Sequence, residues 1–251
     1  MLKSRVLKFN IVTIFPSEVN QALSFGVLGN AIKDNKIMID FFDPRIYSDS
    51  KYGSIDDKPY GGGPGMVMQA EPVLKSIDKA RNGNVQIPVF FLSPQGSTFN
   101  QNKAKELSKL DEMIIVSSRY EGLDQRAIDQ TDNREEISIG DFVISGGEIA
   151  CAVIIDSVSR LIPGVLGDKE SISEESFNDG LLEYPQYTRP SEVNNQSVPE
   201  ILLSGDHKKI SQWRKIQSLK KTYLKRPDLI DKSKLTVQEI VIINNMKNDP
   251  E

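Results

Sequence analysis

Along the first 160 positions, apolar residues fall in short runs separated by polar segments of helical length. Residues 9–15 are rich in β-branched and aromatic side chains and predict a strand that stops at Pro16. Ser17 is placed to cap the helix that follows, with Glu18 in its first turn. A second strand is predicted over 36–42, ended by Asp43-Pro44. Residues 43–69 are dense in glycine and proline and predict loop. A helix is expected over 71–81, then a fully apolar strand over 88–93, a helix over 101–110 and another buried strand over 113–117. An apolar helix is expected over 147–161, stopped near Pro163-Gly164. Strands alternating with helices imply a three-layer α/β domain with a parallel sheet over 1–162. Residues 163–176 are polar, contain two glycines and read as a flexible connection. Residues 177–251 predict a smaller helical domain. In 208–224, Ile210, Trp213, Ile216, Leu219 and Tyr223 share one helical face, so Trp213 reads as core. Thr236 and Glu239 have capping-box spacing ahead of another apolar run.

Composition narrows the function. The chain has 251 residues, 38% hydrophobic and 26% charged, enough to build a sizeable core. No apolar stretch approaches the roughly 20 residues of a membrane span, and no secretory signal is seen, so a cytoplasmic protein is expected. One cysteine, Cys151 in an apolar run, reads as buried and inert, and one histidine, His207, leaves little scope for zinc sites or histidine-based triads. The formal net charge is −4, yet 207–226 holds eight Lys or Arg and no Asp or Glu. A basic stripe on an acidic chain suits a specific polyanionic partner.

Four segments stand out as candidate chemistry: 59–66 (PYGGGPGM), 92–96 (LSPQG), 118–122 (SRYEG) and 139–148 (IGDFVISGGE). The first lacks the Gly-Lys-Ser/Thr of a phosphate-binding loop, and from composition alone a mobile surface loop accounts for it equally well. The other three stand at the carboxyl edge of the predicted sheet or open the apolar helix. Ligands of open α/β sheets bind at that edge. Each motif alone reads as a tight turn; their joint position points to a small-molecule pocket made mostly of backbone.

The strings PYGGGPGM, LSPQG, RYEG, SIGDFVISGGE, DSVSRLIPGVLG, YTRP and LLSGDH, in this order from about Phe9 to Pro227, resemble the bacterial tRNA (guanine-N1)-methyltransferases of the SPOUT class. The resemblance implies an α/β domain with a deep trefoil knot, a homodimer with active sites at its interface, S-adenosylmethionine as methyl donor, and tRNA carrying guanosine 37 after guanosine 36 as substrate. It assigns the cofactor to Leu92, Pro94, Gln95, Gly96, Ser118, Tyr120, Glu121, Gly122, Ile139, Gly140, Asp141, Phe142, Val143, Ile144, Gly146 and Gly147. The family's catalytic base, an aspartate, matches Glu175, a departure that keeps the carboxylate and adds a methylene; Glu174 and Asp179 are the alternatives, and on their own residues 174 and 175 read as solvated charges of the connection. The family's electrophilic arginine matches Arg160, which on its own residues reads equally as a helix-end cation. Ser118 stands where the family has glycine, and Gln186 where it has histidine. Lys208, Lys209, Arg214, Lys215, Lys220 and Lys221 are the expected tRNA contacts, and His207 either touches RNA or starts the helix. The connection is expected to order when tRNA binds. Family members depend on Mg²⁺, though the sequence shows no dedicated metal cage.

The chemistry is arguable independently. Neutral guanine carries a proton on N1, so a base must remove it while charge builds toward O6; a carboxylate and a nearby cation are the minimal kit. Three rival readings remain. An RNA-binding protein without catalysis is hinted at only by Glu175. A nucleotide-binding enzyme lacks its lysine, and a methyltransferase for another RNA sits poorly with motifs spanning both domains.

Overall fold

A computed structural model describes residues 6–166, 175–178, 180–231, 233 and 235–248. The chain divides into two compact units, Met1–Gly167 and Asp168–Glu251.

The first unit is built on five strands: β1 (Leu7–Val12), β2 (Ile37–Phe42), β5 (Val89–Thr98), β6 (Glu112–Ser117) and β7 (Arg134–Ser138). They form one all-parallel sheet in the order β2-β1-β6-β5-β7. The helices are α1 (Pro16–Leu23), α2 (Gly26–Lys33), α3 (Ala70–Arg81), α4 (Gln101–Leu107), α5 (Gln125–Asp129) and α6 (Gly147–Ser159). Successive strand residues point to opposite faces, and here both faces are buried. Leu7, Phe9, Phe90, Leu92, Met113 and Ile115 pack with α1, α2, α4 and α6. Val12, Val89, Phe91, Ile114 and Val116 pack with α3 on the other face. That is why β5 and β6 read as unbroken apolar runs over 89–92 and 113–116, while Lys8 and Asn10 interrupt β1.

Several local expectations are corrected. Phe15, not Ser17, is the N-cap of α1; Pro16 opens the helix with its fixed φ, and the Ser17 hydroxyl donates to Glu18 Oε2 at 2.7 Å. Residues 43–69 are not all loop: a 3₁₀ turn, Pro44–Tyr47, is capped by Asp43, and β3 (Asp56–Asp57) pairs antiparallel with β4 (Val67–Met68) around the glycine-rich segment. β7 and α5 add to the elements that the hydrophobic pattern predicts. β7 reads Arg-Glu-Glu-Ile-Ser and lies at the sheet edge, where one face takes charge and the apolar signal shrinks to Ile137.

The second unit holds a two-stranded ribbon, Glu192–Val193 with Gln196–Ser197, a short helix Glu200–Leu203, the long helix His207–Lys225 and the helix Val237–Asn248. The Thr236–Glu239 capping box is formed in both directions. Glu239 Oε2 accepts from the Thr236 amide at 2.7 Å, and the Glu239 amide donates to Thr236 Oγ1 at 3.3 Å. Asp206 caps the long helix by accepting from the Lys209 amide at 3.1 Å.

Candidate functional site

A cleft of about 180 Å³ lies where β6 and β7 reach their carboxyl ends and β5 breaks register after Leu92. Its walls come from a bulge within β5, the loop after β6, the loop after β7 and the first turn of α6. Thirteen of the sixteen residues expected at a cofactor line it: Leu92, Pro94, Ser118, Tyr120, Glu121, Gly122, Ile139, Gly140, Phe142, Val143, Ile144, Gly146 and Gly147. Gln95, Gly96 and Asp141 are not among the lining residues, whereas Ser93, Ile137, Ser138 and Ala150 are. Ile137 and Ser138 belong to β7, so missing that strand meant missing its contribution to the wall.

The first wall is made by a bulge. Leu92 and Ser97 both pair with Ile137, so residues 93–96 are extruded from the ladder. Proline cannot donate to a ladder, and Pro94 sits in the extruded part. The Gln95 amide closes the turn on Ser93 Oγ at 3.1 Å. Gly96 is held against β7: a Cβ there would lie 2.4 Å from Ile137 N. Its glycine is therefore required by strand packing.

The second wall is tied to the first by a side chain. Ser118 Oγ donates to the Leu92 carbonyl at 2.9 Å, which gives the serine a role that the family's glycine could not fill. Tyr120 has φ +60, a left-handed conformation that costs a bulky residue free energy and turns the peptides on either side of it. Burial, reinforced by the Asp56 carboxylate, raises the Tyr120 phenol above its ordinary value. The glycine-rich segment is fastened alongside: Glu121 N donates to Met66 O at 2.9 Å and Met68 N to Gly122 O at 2.9 Å. Only the end of segment 59–66, at Gly65 and Met66, thus meets the loop after β6.

The third wall is the entry to α6. Ser138 Oγ accepts from Gly140 N at 3.2 Å and sets the turn after β7. Gly147 N donates to Ser118 O at 2.8 Å, and a Cβ at Gly147 would come within 2.8 Å of Ser117 Cα. Only glycine lets α6 start this close to β6. Below it Cys151 is fully buried, and that burial pushes its thiol up to about 12, so it is inert at neutral pH as expected.

Arg160 stands at the C-cap of α6, half-buried, its amide donating to Asp156 O at 3.2 Å. Glu175 is half-buried in the second unit, where its carbonyl accepts from Asn178 N at 3.3 Å. Glu174, Asp179 and residues 167–174 of the connection fall outside the described residues.

In the second unit, Lys208, Lys209, Lys215 and Lys220 are exposed, while Arg214 and Lys221 are half-buried. The Arg214 guanidinium lies 4.7 Å over the Tyr184 ring, Lys215 Nζ is 3.7 Å from Glu239, and Lys209 Nζ is 3.3 Å from Asp206. Arg214 therefore does packing work in addition to any external role. Trp213 is half-buried against Tyr187, with ring centroids 6.4 Å apart. Leu219 is the fully buried apolar residue of its face; Ile216 is exposed, because Ser218 and Thr222 carry the buried stripe around. His207 and Gln186 are exposed.

Among the described residues, no three His, Cys, Asp or Glu side chains gather as a metal cage, and no helix is long and apolar enough to cross a membrane.

Comparison with known proteins gives this geometry its setting. A family model described as tRNA (Guanine-1)-methyltransferase TrmD matches residues 7–232. A tRNA (guanine-N(1)-)-methyltransferase from Buchnera aphidicola subsp. Schizaphis graminum is 51% identical over 240 residues, covering 95% of this chain and 91% of its own length. One so named from Francisella tularensis subsp. holarctica is 47% identical over 246 residues, 97% of each chain. Another from Pseudoalteromonas atlantica is 44% identical over 242 residues, 96% of this chain and 91% of its own. With the matched model spanning both units and the cleft lined by the motif residues, the chain belongs to the tRNA (guanine-1)-methyltransferase TrmD family.

Proposed function

We propose that this protein is a cytoplasmic, homodimeric enzyme that methylates N1 of guanosine 37 in tRNA where guanosine 36 precedes it, using S-adenosylmethionine. The observation that carries the reading is the coincidence of the family's cofactor motifs with one cleft, where β6 and β7 end and β5 breaks register. The trefoil crossing implied by the resemblance belongs to the same proposal.

The cleft's lining suits the donor. Leu92, Ile139, Phe142, Val143 and Ile144 offer an apolar slot for a purine, and the turned backbones around Tyr120 and Gly140 bring peptide groups to its edges. When bound there, S-adenosylmethionine supplies a methyl group already activated on a sulfonium. The protein's work is then proton and charge management. Glu175 accepts the N1 proton of the guanine, and the Arg160 guanidinium steadies the charge that builds on O6. The exposed cations Lys208 and Lys220 hold the RNA backbone. Magnesium finds no trio of protein ligands among the described residues.

Self-association is supported by apolar surface beside the cleft. Ile149 and Val153 on α6 are 64% and 44% exposed, and Phe142 and Val143 at the rim are 55% and 85% exposed. Apolar side chains grouped beside a pocket mark an interaction face.

Labelled methyl transfer to an unmodified tRNA transcript, followed by nucleoside analysis, tests the reading. The expected product is 1-methylguanosine; label in any other nucleoside, or none, overturns it.

A further inference from the structure

Among the motif-loop residues that do not line the cleft are two charged ones of opposite sign. Arg119 lies between Ser118 and Tyr120, and Glu148 directly follows Gly146-Gly147. Instead they face each other. Arg119 Nη1 is 3.6 Å from Glu148 Oε2, with side chains 30% and 13% exposed. Glu148 Oε1 also accepts from Thr13 Oγ1 at 3.2 Å, and Thr13, fully buried just past β1, accepts in turn from the Phe15 amide at 3.0 Å. The Arg119 guanidinium lies 5.0 Å over the Phe15 ring, and its amide reaches Met68 Sδ at 3.1 Å. Gly146 lies beneath the pair: a Cβ there would sit 2.3 Å from Arg119 Nη1 and 2.6 Å from Glu148 Oε2.

We infer that Arg119 and Glu148 are positioning residues, an ionic clip behind the cleft that sets the spacing between the loop after β6 and the start of α6. The two walls touch through one backbone hydrogen bond, Gly147 to Ser118. A loop carrying a left-handed tyrosine stores strain and stays in place only if its surroundings over-determine it. Largely buried ion pairs are weakly screened and become costly when one partner is removed. A carboxylate in the first turn of α6 is further favoured by the helix N-terminus. Because the pair touches the walls from behind, its loss widens or shifts the cofactor slot without removing a group that reacts.

The inference rests on the proposal that this cleft takes S-adenosylmethionine, and the native protein tests that first: binding of S-adenosylhomocysteine by calorimetry, and methyl transfer to tRNA. If the native protein binds none, the cofactor reading fails and the clip with it. Given native binding, Glu148→Gln, Arg119→Met and the double variant address the clip. Glu148→Gln keeps the acceptor for Thr13 and Arg119→Met keeps an unbranched chain against Phe15, so each removes one charge of the pair while nearly preserving the local volume. Each is expected to raise the Kd for S-adenosylhomocysteine about tenfold, with the double variant no worse than the poorer single one, since both break the same ion pair. The KM for S-adenosylmethionine rises equally, while kcat at saturation and the KM for tRNA stay within about twofold. A circular dichroism melt confirms that each variant is folded; if one is not, the other carries the test. A Kd within about twofold of native in a folded variant, additive losses in the double variant, or a rise confined to the tRNA KM would each overturn the clip.

Discussion

At the sheet edge of the first unit, binding groups are held by backbone: a bulge after Leu92, a glycine at 147 pressed on β6, a serine hydroxyl bridging two loops. Along helix His207–Lys225 the candidate binding groups are the ends of long side chains, and several are engaged inside their own unit, Arg214 on Tyr184 and Lys215 on Glu239. The contrast separates two kinds of recognition. A small, shaped ligand needs walls fixed to within an ångström or so. A polyanion needs charge at roughly the right spacing, and tolerates mobile cations. Substitutions in the first region are therefore expected to act through sterics and in the second through electrostatics.

The largest effect expected is on chemistry itself. Glu175→Gln lowers single-turnover methyl transfer about 10²- to 10⁴-fold while cofactor affinity stays native; unchanged turnover would move the base to another carboxylate. Arg160→Ala slows the same step by about 10²-fold, whereas a purely structural arginine would lower the melting temperature instead.

Next comes the steric region. Gly147→Val inserts atoms where a Cβ already meets Ser117 Cα at 2.8 Å. It is expected to cost about 1–3 kcal/mol of stability and to abolish measurable cofactor binding, read by denaturant titration and calorimetry. A variant that binds normally would show that the start of α6 can shift without disturbing the cleft.

The basic helix gives a smaller, graded effect. Reversing Lys208 and Lys220 together is expected to weaken tRNA binding and flatten the salt dependence, by about one unit of log–log slope for each phosphate no longer neutralised. Cofactor affinity should not move. A native slope would make those lysines only a solvated face.

The smallest effect is on the helix that partners Lys215. Thr236→Ala removes a capping box and costs about 1 kcal/mol. Burial alone would raise the Glu239 carboxyl, but hydrogen bonds from Thr236 and the Lys215 cation outweigh it and hold the group below its ordinary value. A depressed acid stabilises the fold above its unfolded pKa. That contribution is lost as pH falls through the folded value, so urea midpoints of the native protein and Thr236→Ala should converge in acid.

Much of this layout was legible in sequence, for physical reasons that also mark its limits. The inner strands β5 and β6 read clearly because burial on both faces leaves Phe90–Leu92 and Met113–Val116 uniformly apolar. β7 did not, since an edge strand of Arg134, Glu135 and Glu136 carries charge where periodicity looks for apolar residues, and Ile137 and Ser138 of the cleft were missed with it. Pro94 and Gly96 announced an interruption, but the bulge, and the fact that Gly96 answers to β7 and not to the cleft, needed the pairing register. The ion pair behind the cleft was invisible, because nothing in the spacing of Arg119 and Glu148 signals an approach made through Thr13 and Phe15.

The most direct test of the central claim uses two tRNA transcripts that differ at one base, guanosine or adenosine at position 37, with labelled S-adenosylmethionine. The account predicts label in the first alone, carried as 1-methylguanosine. Equal labelling of both, or none in either while S-adenosylhomocysteine still binds, would contradict it.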